Sequence, residues 1–481
     1  MKTNRLTALF LALCLTTPLV SCGADPAETT PTAAVDTDTT AATESETQPV
    51  DLYADLGSAD YNGYDYVILN TEEFKPYMIA EEQNGEIVND AVFEANAKVM
   101  ELANLTIRQE LVADPNPTFK SCVNAGDNAF DMAIDHDCNS AKRQMSGNYM
   151  LNLLELPHIQ WDKPWWPQFT TDALTFNGQM YMYSNYSSYL GNWFTRAVFV
   201  NLAELRNRNV EDPYQLVYEN KWTLDKWIEL TKDIYVDLNG DGESTVEDFF
   251  GFAISGTTYC WLEAWNIEVF QKDGADIHID VENERLVNTM EKVYNWFHDN
   301  QGVYYSPTSV DNWSRDSYIG IFAAESSMCT YGVIGRLLQG LMDTDIEYGI
   351  LPMPMLDESV GKYYSGTTDR PVSVPVTCQD KDMVGYVIEA MAISGYEMIL
   401  PAYCESALKG RYATDEDSTA MLDIIFANRV LGFSYLYSND NFPQMMNALM
   451  SSKSFDYASY VAKNMSANET WVQKIVDAYA Q

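Results

Sequence analysis

Basic residues are scarce in this chain: 29 Lys and Arg stand against 70 Asp and Glu, giving a formal charge of −41. So acidic a surface repels phosphate backbones and anionic headgroups, which argues against a nucleic-acid partner and against direct adhesion to anionic lipid. Cysteine is sparse too. Beyond Cys22 there are Cys122, Cys138, Cys260, Cys329, Cys378 and Cys404, with no Cys-x-x-Cys pair among them. That is too few for a disulfide scaffold and reads as mostly buried thiols, with one or two bridges allowed by an oxidising setting. No His-Glu-x-x-His, Gly-x-Ser-x-Gly or phosphate-binding glycine loop occurs, and no repeat is apparent. Only one apolar run, near the N-terminus, approaches the length of a membrane span, so the remainder is expected to be soluble.

That run, Leu6 to Val20, follows Lys2 and Arg5 and is too short for a stable spanning helix, which is the shape of a secretory signal. Its end, Leu19-Val20-Ser21-Cys22, resembles the lipobox of bacterial lipoproteins. In that family the signal is removed before the cysteine, and the cysteine is diacylated at sulfur. The resemblance therefore implies a signal over 1–21 and a lipid on Cys22. From Gly23 to about Asp55 the chain is Thr, Ala, Pro and acid, without Lys or Arg. Such a stretch buries too little surface to offset its ordering entropy, so 22–57 is expected to be a disordered tether. At about 3.3 Å per residue its reach is on the order of 100 Å.

The remaining chain is long and apolar enough for two lobes. Oxygen side chains recur at Asp237, Asn239, Asp241, Glu243, Thr245 and Asp248, with Gly242 at the sixth place of this twelve-residue span. Alternate residues of a tight turn aim oxygens at one centre while the glycine permits the bend, so the spacing suits calcium. Asp248 stands where a bidentate Glu is usual. The competing reading is an acidic surface turn without metal. Thr223 caps a helix carrying Trp227 and Leu230 ahead of the loop, and Asp248 to Ile254 reads as a buried strand behind it. A structural calcium staple is expected rather than a sensor.

Earlier in the chain, Tyr61–Asn70, Thr106–Leu111 and Phe130–Ile134 read as strands, separated by helices over Val88–Asn104 and around Thr118–Val123. This alternation predicts an α/β fold with a mostly parallel sheet. Ligands of such sheets meet the loops at the carboxyl ends of the strands, which marks Asp135, His136 and Asp137. Asn177-Gly178 signals a hairpin turn. Glu284–Asn300 and four later segments read as helices.

One order of features is more specific: Asn177-Gly178-Gln179-Met180-Tyr181, Val198-Phe199-Val200-Asn201, the Trp222-to-Trp227 helix start, Gly251-Phe252, Phe322-to-Met328 and Tyr348-to-Pro354. It resembles the extracellular solute-binding proteins of ABC importers, especially the sugar-binding branch. The resemblance runs from about Asp60 to the C-terminus and departs from the family at Glu325, where glycine is common. It implies a two-lobed, periplasmic-binding-protein-like fold, each lobe a mostly parallel sheet flanked by helices. Lobe 1 would hold 58–183 and 303–355, and lobe 2 would hold 184–302 and 356–481.

It further implies a non-enzymatic monomer that captures a carbohydrate, an oligosaccharide in first place, and delivers it to ABC permease subunits at the outer face of a bacterial membrane. Aromatic faces stack on sugar rings and polar side chains pair with hydroxyls. On family loop positions or polar aromatic stretches, the expected ligand contacts are Asp135, Trp193, Trp261, Trp265, Trp313, Tyr331, Tyr364 and Arg370. Calcium at Asp237, Asn239, Asp241, Glu243 and Asp248 is the one cofactor expected. Exported glycoside hydrolase and a binding protein for peptide or another small solute remain the alternatives, since two carboxylates about 5–10 Å apart suffice for the former.

Overall fold

A computed structural model describes residues 51–480 apart from 257, 300, 307–313 and 414. Trp313, Cys22 and the 1–50 stretch thus lie outside the described residues. The chain opens with strand β1 (Tyr64–Asn70), helix α1 (Ile87–Ala103), strand β2 (Leu105–Leu111), helix α2 (Pro115–Ala125), strand β3 (Met132–Ile134) and helix α3 (Asp137–Met145). Local chemistry sets these boundaries. Asp114 accepts the Asn116 N–H and Pro115 occupies the first turn of α2, while Gly126 ends it in the left-handed region. β1 pairs in parallel with both β2 and β3, and β13 (Val372–Ser373) closes the sheet antiparallel to β3.

A second sheet holds β4 (Arg196–Asn201), β5 (Tyr235–Val236), β6 (Phe249–Ser255), β9 (Val303–Ser306), β10 (Ser327–Val333) and β11 (Tyr348–Leu351). β6 is parallel to β9 and β10, whereas β4 runs against β10 and β11, and β5 against β6. This sheet is therefore mixed rather than mostly parallel. β6 and β10 are buried along their whole lengths, as expected for strands covered on both faces. Two small ladders complete the strands, β7 (Phe270–Asp273) with β8 (Asp276–Ile279), and β12 (Ser365–Gly366) with β14 (Arg429–Val430).

The segment boundaries differ from the expected ones. Residues 303–355, expected with the first sheet, supply three strands of the second, because β9 and β10 extend the β6 ladder and β11 continues from β4. The helix Lys381–Ser394, expected in lobe 2, packs on α1, and Tyr457–Ala478 packs on α3. The chain passes between the sheets over 184–195 and again over 352–371.

Helical segments over Lys381–Gly410 are apolar enough, by length and composition, to cross a membrane, contrary to expectation; 78% of the apolar window is buried inside the protein. Phe322 belongs to the helix Tyr318–Ala323. Glu325, in the turn that follows, has φ of 54°, the left-handed region that explains a glycine at this place in the resembled family. All six cysteines of the described body are free thiols.

Candidate functional site

Three parallel strands of the first sheet end side by side, and the loops beyond them enclose a cavity of about 560 Å³. Glu72, Glu73 and Phe74 follow β1, Val112 to Pro115 follow β2, and Asp135, His136 and Asn139 follow β3. Arg370, from the strap that runs between the sheets, completes the lining. Two of the expected contacts, Asp135 and Arg370, are thus brought together at the carboxyl edge where a ligand is expected.

Asp135 is buried and pairs with the fully buried Arg143, whose guanidinium also reaches Asn116 Oδ1 at 3.1 Å and Ser373 Oγ at 3.1 Å. Burial pushes the Asp135 carboxyl up while Arg143 pulls it down. This side chain braces the loop; its Oδ1 accepts the His136 N–H at 2.7 Å and the Asn139 amide at 3.3 Å. His136 turns a ring that is 38% exposed to the cavity side, with Nδ1 2.7 Å from Oδ1 of the buried Asp137. Burial works against the Asp137 carboxylate, but His136 and Arg370 outweigh it and hold it below the usual range.

Arg370 lies between two aromatic rings, its guanidinium carbon 4.6 Å from the Phe74 centroid and 4.4 Å from that of Phe194. Phe74 follows β1 of the first sheet and Phe194 precedes β4 of the second, so the cation is held across the lobe junction. Beside it, Tyr77 meets Trp193 at 5.9 Å and Tyr189 at 5.0 Å. Trp193 lines a smaller cavity of about 160 Å³ with Tyr189, Tyr403, Gln339 and the start of α1. Gly335 lets the indole lie flat on its helix, since a Cβ there would fall 2.2 Å from Nε1.

No family model matches the chain, and no curated protein does. Solved structures share its architecture at low identity. The ABC substrate-binding protein Lmo0181 from Listeria monocytogenes, in complex with cycloalternan, matches 85% of this chain and 99% of its own, with 12% identity and a TM-score of 0.55. UspC from M. tuberculosis matches over 85% and 100%, with 16% identity and a TM-score of 0.55. The GacH receptor of Streptomyces glaucescens, solved unliganded and with acarbose and a homolog, matches over 87% and 97%, with 12% identity and a TM-score of 0.50. The chain has the fold of an ABC solute-binding protein.

Within this solute-binding fold the other expected contacts are dispersed. Tyr364 lines a third cavity of about 620 Å³ with Phe169, Lys272, Lys362 and Arg429, beside the β12–β14 ladder. Trp261, Trp265 and Tyr331 are fully buried in the second lobe. Trp261 packs against Trp227, Trp265 and Tyr331 at 5.5–5.6 Å, and Trp265 Nε1 donates to Pro354 O at 3.0 Å. These three rings fill the core of the second lobe and show no face to either cavity. Phe74 and Phe194 carry no local signal of a site, being isolated phenylalanines whose partner, Arg370, lies far away in the chain.

The Asp237–Asp248 loop joins β5 to β6 as a hairpin, instead of linking helix to sheet directly. Asp237 accepts the Gly240 and Gly242 N–H groups at 2.7 and 3.0 Å, and both glycines have positive φ. Asp248 accepts the Leu238 and Thr245 N–H groups at 3.1 and 2.9 Å, and these bonds hold its carboxyl below the usual range. Asn239 and Asp241 side chains meet at 2.9 Å. The first and twelfth residues thus shape the turn, and the oxygens of Asn239, Asp241 and Glu243 stay at the exposed end.

Proposed function

We propose that this chain is a solute-binding protein that captures a carbohydrate, most simply an oligosaccharide, between its lobes and delivers it to an ABC permease. The observation carrying this reading is the 560 Å³ cavity at the carboxyl ends of β1, β2 and β3, closed on one side by Arg370 from the interlobe strap. Its volume falls within the roughly 300–1,000 Å³ usual for small-molecule sites. The saccharide complexes of Lmo0181 and GacH support the same ligand class. Ligand touching both lobes favours the closed arrangement and shifts the population toward it, and the permease then reads the closed shape. No catalytic step belongs to this role.

The lipobox-like Leu19-Val20-Ser21-Cys22 supports export and a lipid anchor at Cys22 on the outer membrane face, with the body acting as a monomer. The loop carrying Asp237, Asn239, Asp241, Glu243 and Asp248 takes calcium as a structural ion in this proposal. Its spacing and its glycine turns support that reading.

A thermal-shift screen against mono- and oligosaccharides, short peptides and polyamines tests the function, with products followed by chromatography. A saturable rise with one saccharide and no cleavage is expected. Cleavage identifies a glycoside hydrolase instead, and a rise with peptide or polyamine alone overturns the carbohydrate assignment.

A further inference from the structure

The cleft-facing His136 is joined to both interlobe crossings by an unbroken line of buried polar groups. It begins at the ring. Nδ1 lies 2.7 Å from Asp137 Oδ1, and the Cys138 N–H reaches the same oxygen at 2.8 Å. The Cys138 N–H also comes within 3.3 Å of Nδ1, but its shorter bond is to the carboxylate. A carboxylate oxygen has no proton to give, so the hydrogen between ring and carboxylate is placed on Nδ1 and Nε2 is left for a ligand. Nε2 has no partner among the described residues and belongs to a ring on the cavity wall. A ring nitrogen presented there pairs with a ligand hydroxyl, the group in which saccharides are richest.

Asp137 is fully buried, and its second oxygen accepts the Asp369 N–H at 3.1 Å. Asp369 lies in the strap between the sheets, and is itself buried. Its Oδ1 accepts the Arg370 N–H at 2.7 Å, and its Oδ2 accepts the hydroxyl of Ser184, which opens the other crossing. Gly191 in that crossing leaves the room, since a Cβ there would stand 2.5 Å from Asp369 Oδ2. Two carboxyls buried this close together are costly, and beside His136 and the Cys138 N–H that cost is met by donors from both crossings, the Asp369 N–H and the Ser184 hydroxyl. Any rotation of the crossings displaces those donors.

We propose that His136 reads a ligand hydroxyl through Nε2 and that the buried line Asp137, Asp369, Ser184 couples this contact to the hinge between the lobes. This rests on the carbohydrate-binding reading of the same cavity. A metal ion is a poorer occupant, although His136, Asp137 and Cys138 bring ligating atoms within 4.8 Å. Cys138 Sγ already donates to the Tyr435 carbonyl at 3.2 Å, and the N-terminus of α3 disfavours a cation.

The chain has four histidines, so nitrogen-15 NMR of the histidine-labelled protein resolves them, and His136→Asn assigns the relevant ring. The expected spectrum shows the Nδ1–H tautomer at His136. Ser184→Ala and Asp369→Asn shift these resonances while those of His158, His278 and His298 stay in place. Ser184→Ala removes a single hydroxyl and keeps the test open should Asp369→Asn fold poorly. With the saccharide found by screening, Asp137→Asn sets an NH2 group against the Asp369 N–H. It weakens binding about ten- to a hundredfold and removes the ligand-induced compaction seen by small-angle scattering.

An Nε2–H tautomer, or His136 resonances indifferent to both hinge variants, overturns the proposal. If a saccharide binds Asp137→Asn as tightly as the natural protein, the coupling falls and the carbohydrate reading stands. If no saccharide binds at all, that reading falls, and the NMR still decides whether the ring is wired to the hinge.

Discussion

Two aromatic clusters of this protein use similar residues to opposite ends. In the second lobe, Trp227, Phe252, Trp261 and Trp296 pack ring on ring, with Phe252 and Trp296 stacked at 5.0 Å and 10°. All four are buried, and their contribution is dispersion and water exclusion. At the lobe junction, Phe74 and Phe194 enclose the Arg370 cation, and Trp193 faces a cavity. There the ring faces serve as electrostatic surfaces on the seam between the two sheets. Ring content alone therefore says little about ligand contact; what lies against the ring decides.

The comparison breaks most sharply at Trp261. Trp261→Ala is expected to cost about 3–5 kcal/mol of stability in urea titration, with ligand affinity per folded molecule unchanged. A selective loss of affinity would return this ring to the binding site. Calcium is expected next: a chelator lowers stability by about 2.7 kcal/mol if the ion is held at a hundredfold its dissociation constant, and Asp241→Ala removes the dependence. No chelator effect on protein purified with calcium sinks the structural-ion proposal. Arg370→Ala should cost about 1–2 kcal/mol through two lost ring contacts and also weaken ligand binding. Arg370→Lys restores little of either, because an ammonium lacks the plane that stacks on both rings.

The buried acids beside these clusters give a pH effect. Burial raises the carboxyls of Glu263, Glu268 and Asp369, so each binds its proton more tightly when folded than unfolded. Stability should therefore grow as pH falls from neutral toward the ordinary carboxyl range of about 4. Asp137, held low, acts in the opposite sense, and its contribution is lost only as pH falls below about 3.9 through its folded value. Urea midpoints at pH 7 and 5 measure the slope, and Glu263→Gln should flatten it. Smallest of all, Glu325→Gly should add about 0.5–1 kcal/mol by relieving a left-handed residue, and a loss would show that Glu325 makes contacts worth more than its strain.

Much of the first sheet was legible because its signals are local. The apolar period of Val88 to Asn104 and the Asn177-Gly178 turn act within a few residues, and the helix and the turn appear where these place them, while the helix expected around Thr118–Val123 extends over Pro115–Ala125. His136 was legible in position, directly after β3, but not in role, since its neighbour Asp137 meets Asp369, and Asp369 meets Ser184, only through the two crossings. Trp261, Trp265 and Tyr331 were misjudged for a related reason. Their polar aromatic neighbourhood in the chain suggests a cleft, yet burial depends on Trp227, Trp296 and Pro354, which no local window contains.

The sequence by itself determined the alternation of strand and helix, the acidic charge, the twelve-residue oxygen spacing and the lipobox-like end of the first apolar run. Each of these follows from side chains acting on their own few neighbours. Only the tertiary structure decided that 303–355 joins the second sheet, and that Arg370 is clamped by rings from both lobes. The reason is that strand pairing and burial are settled by competition among distant surfaces. The same apolar stretch satisfies its local preferences on either sheet until the whole chain is packed.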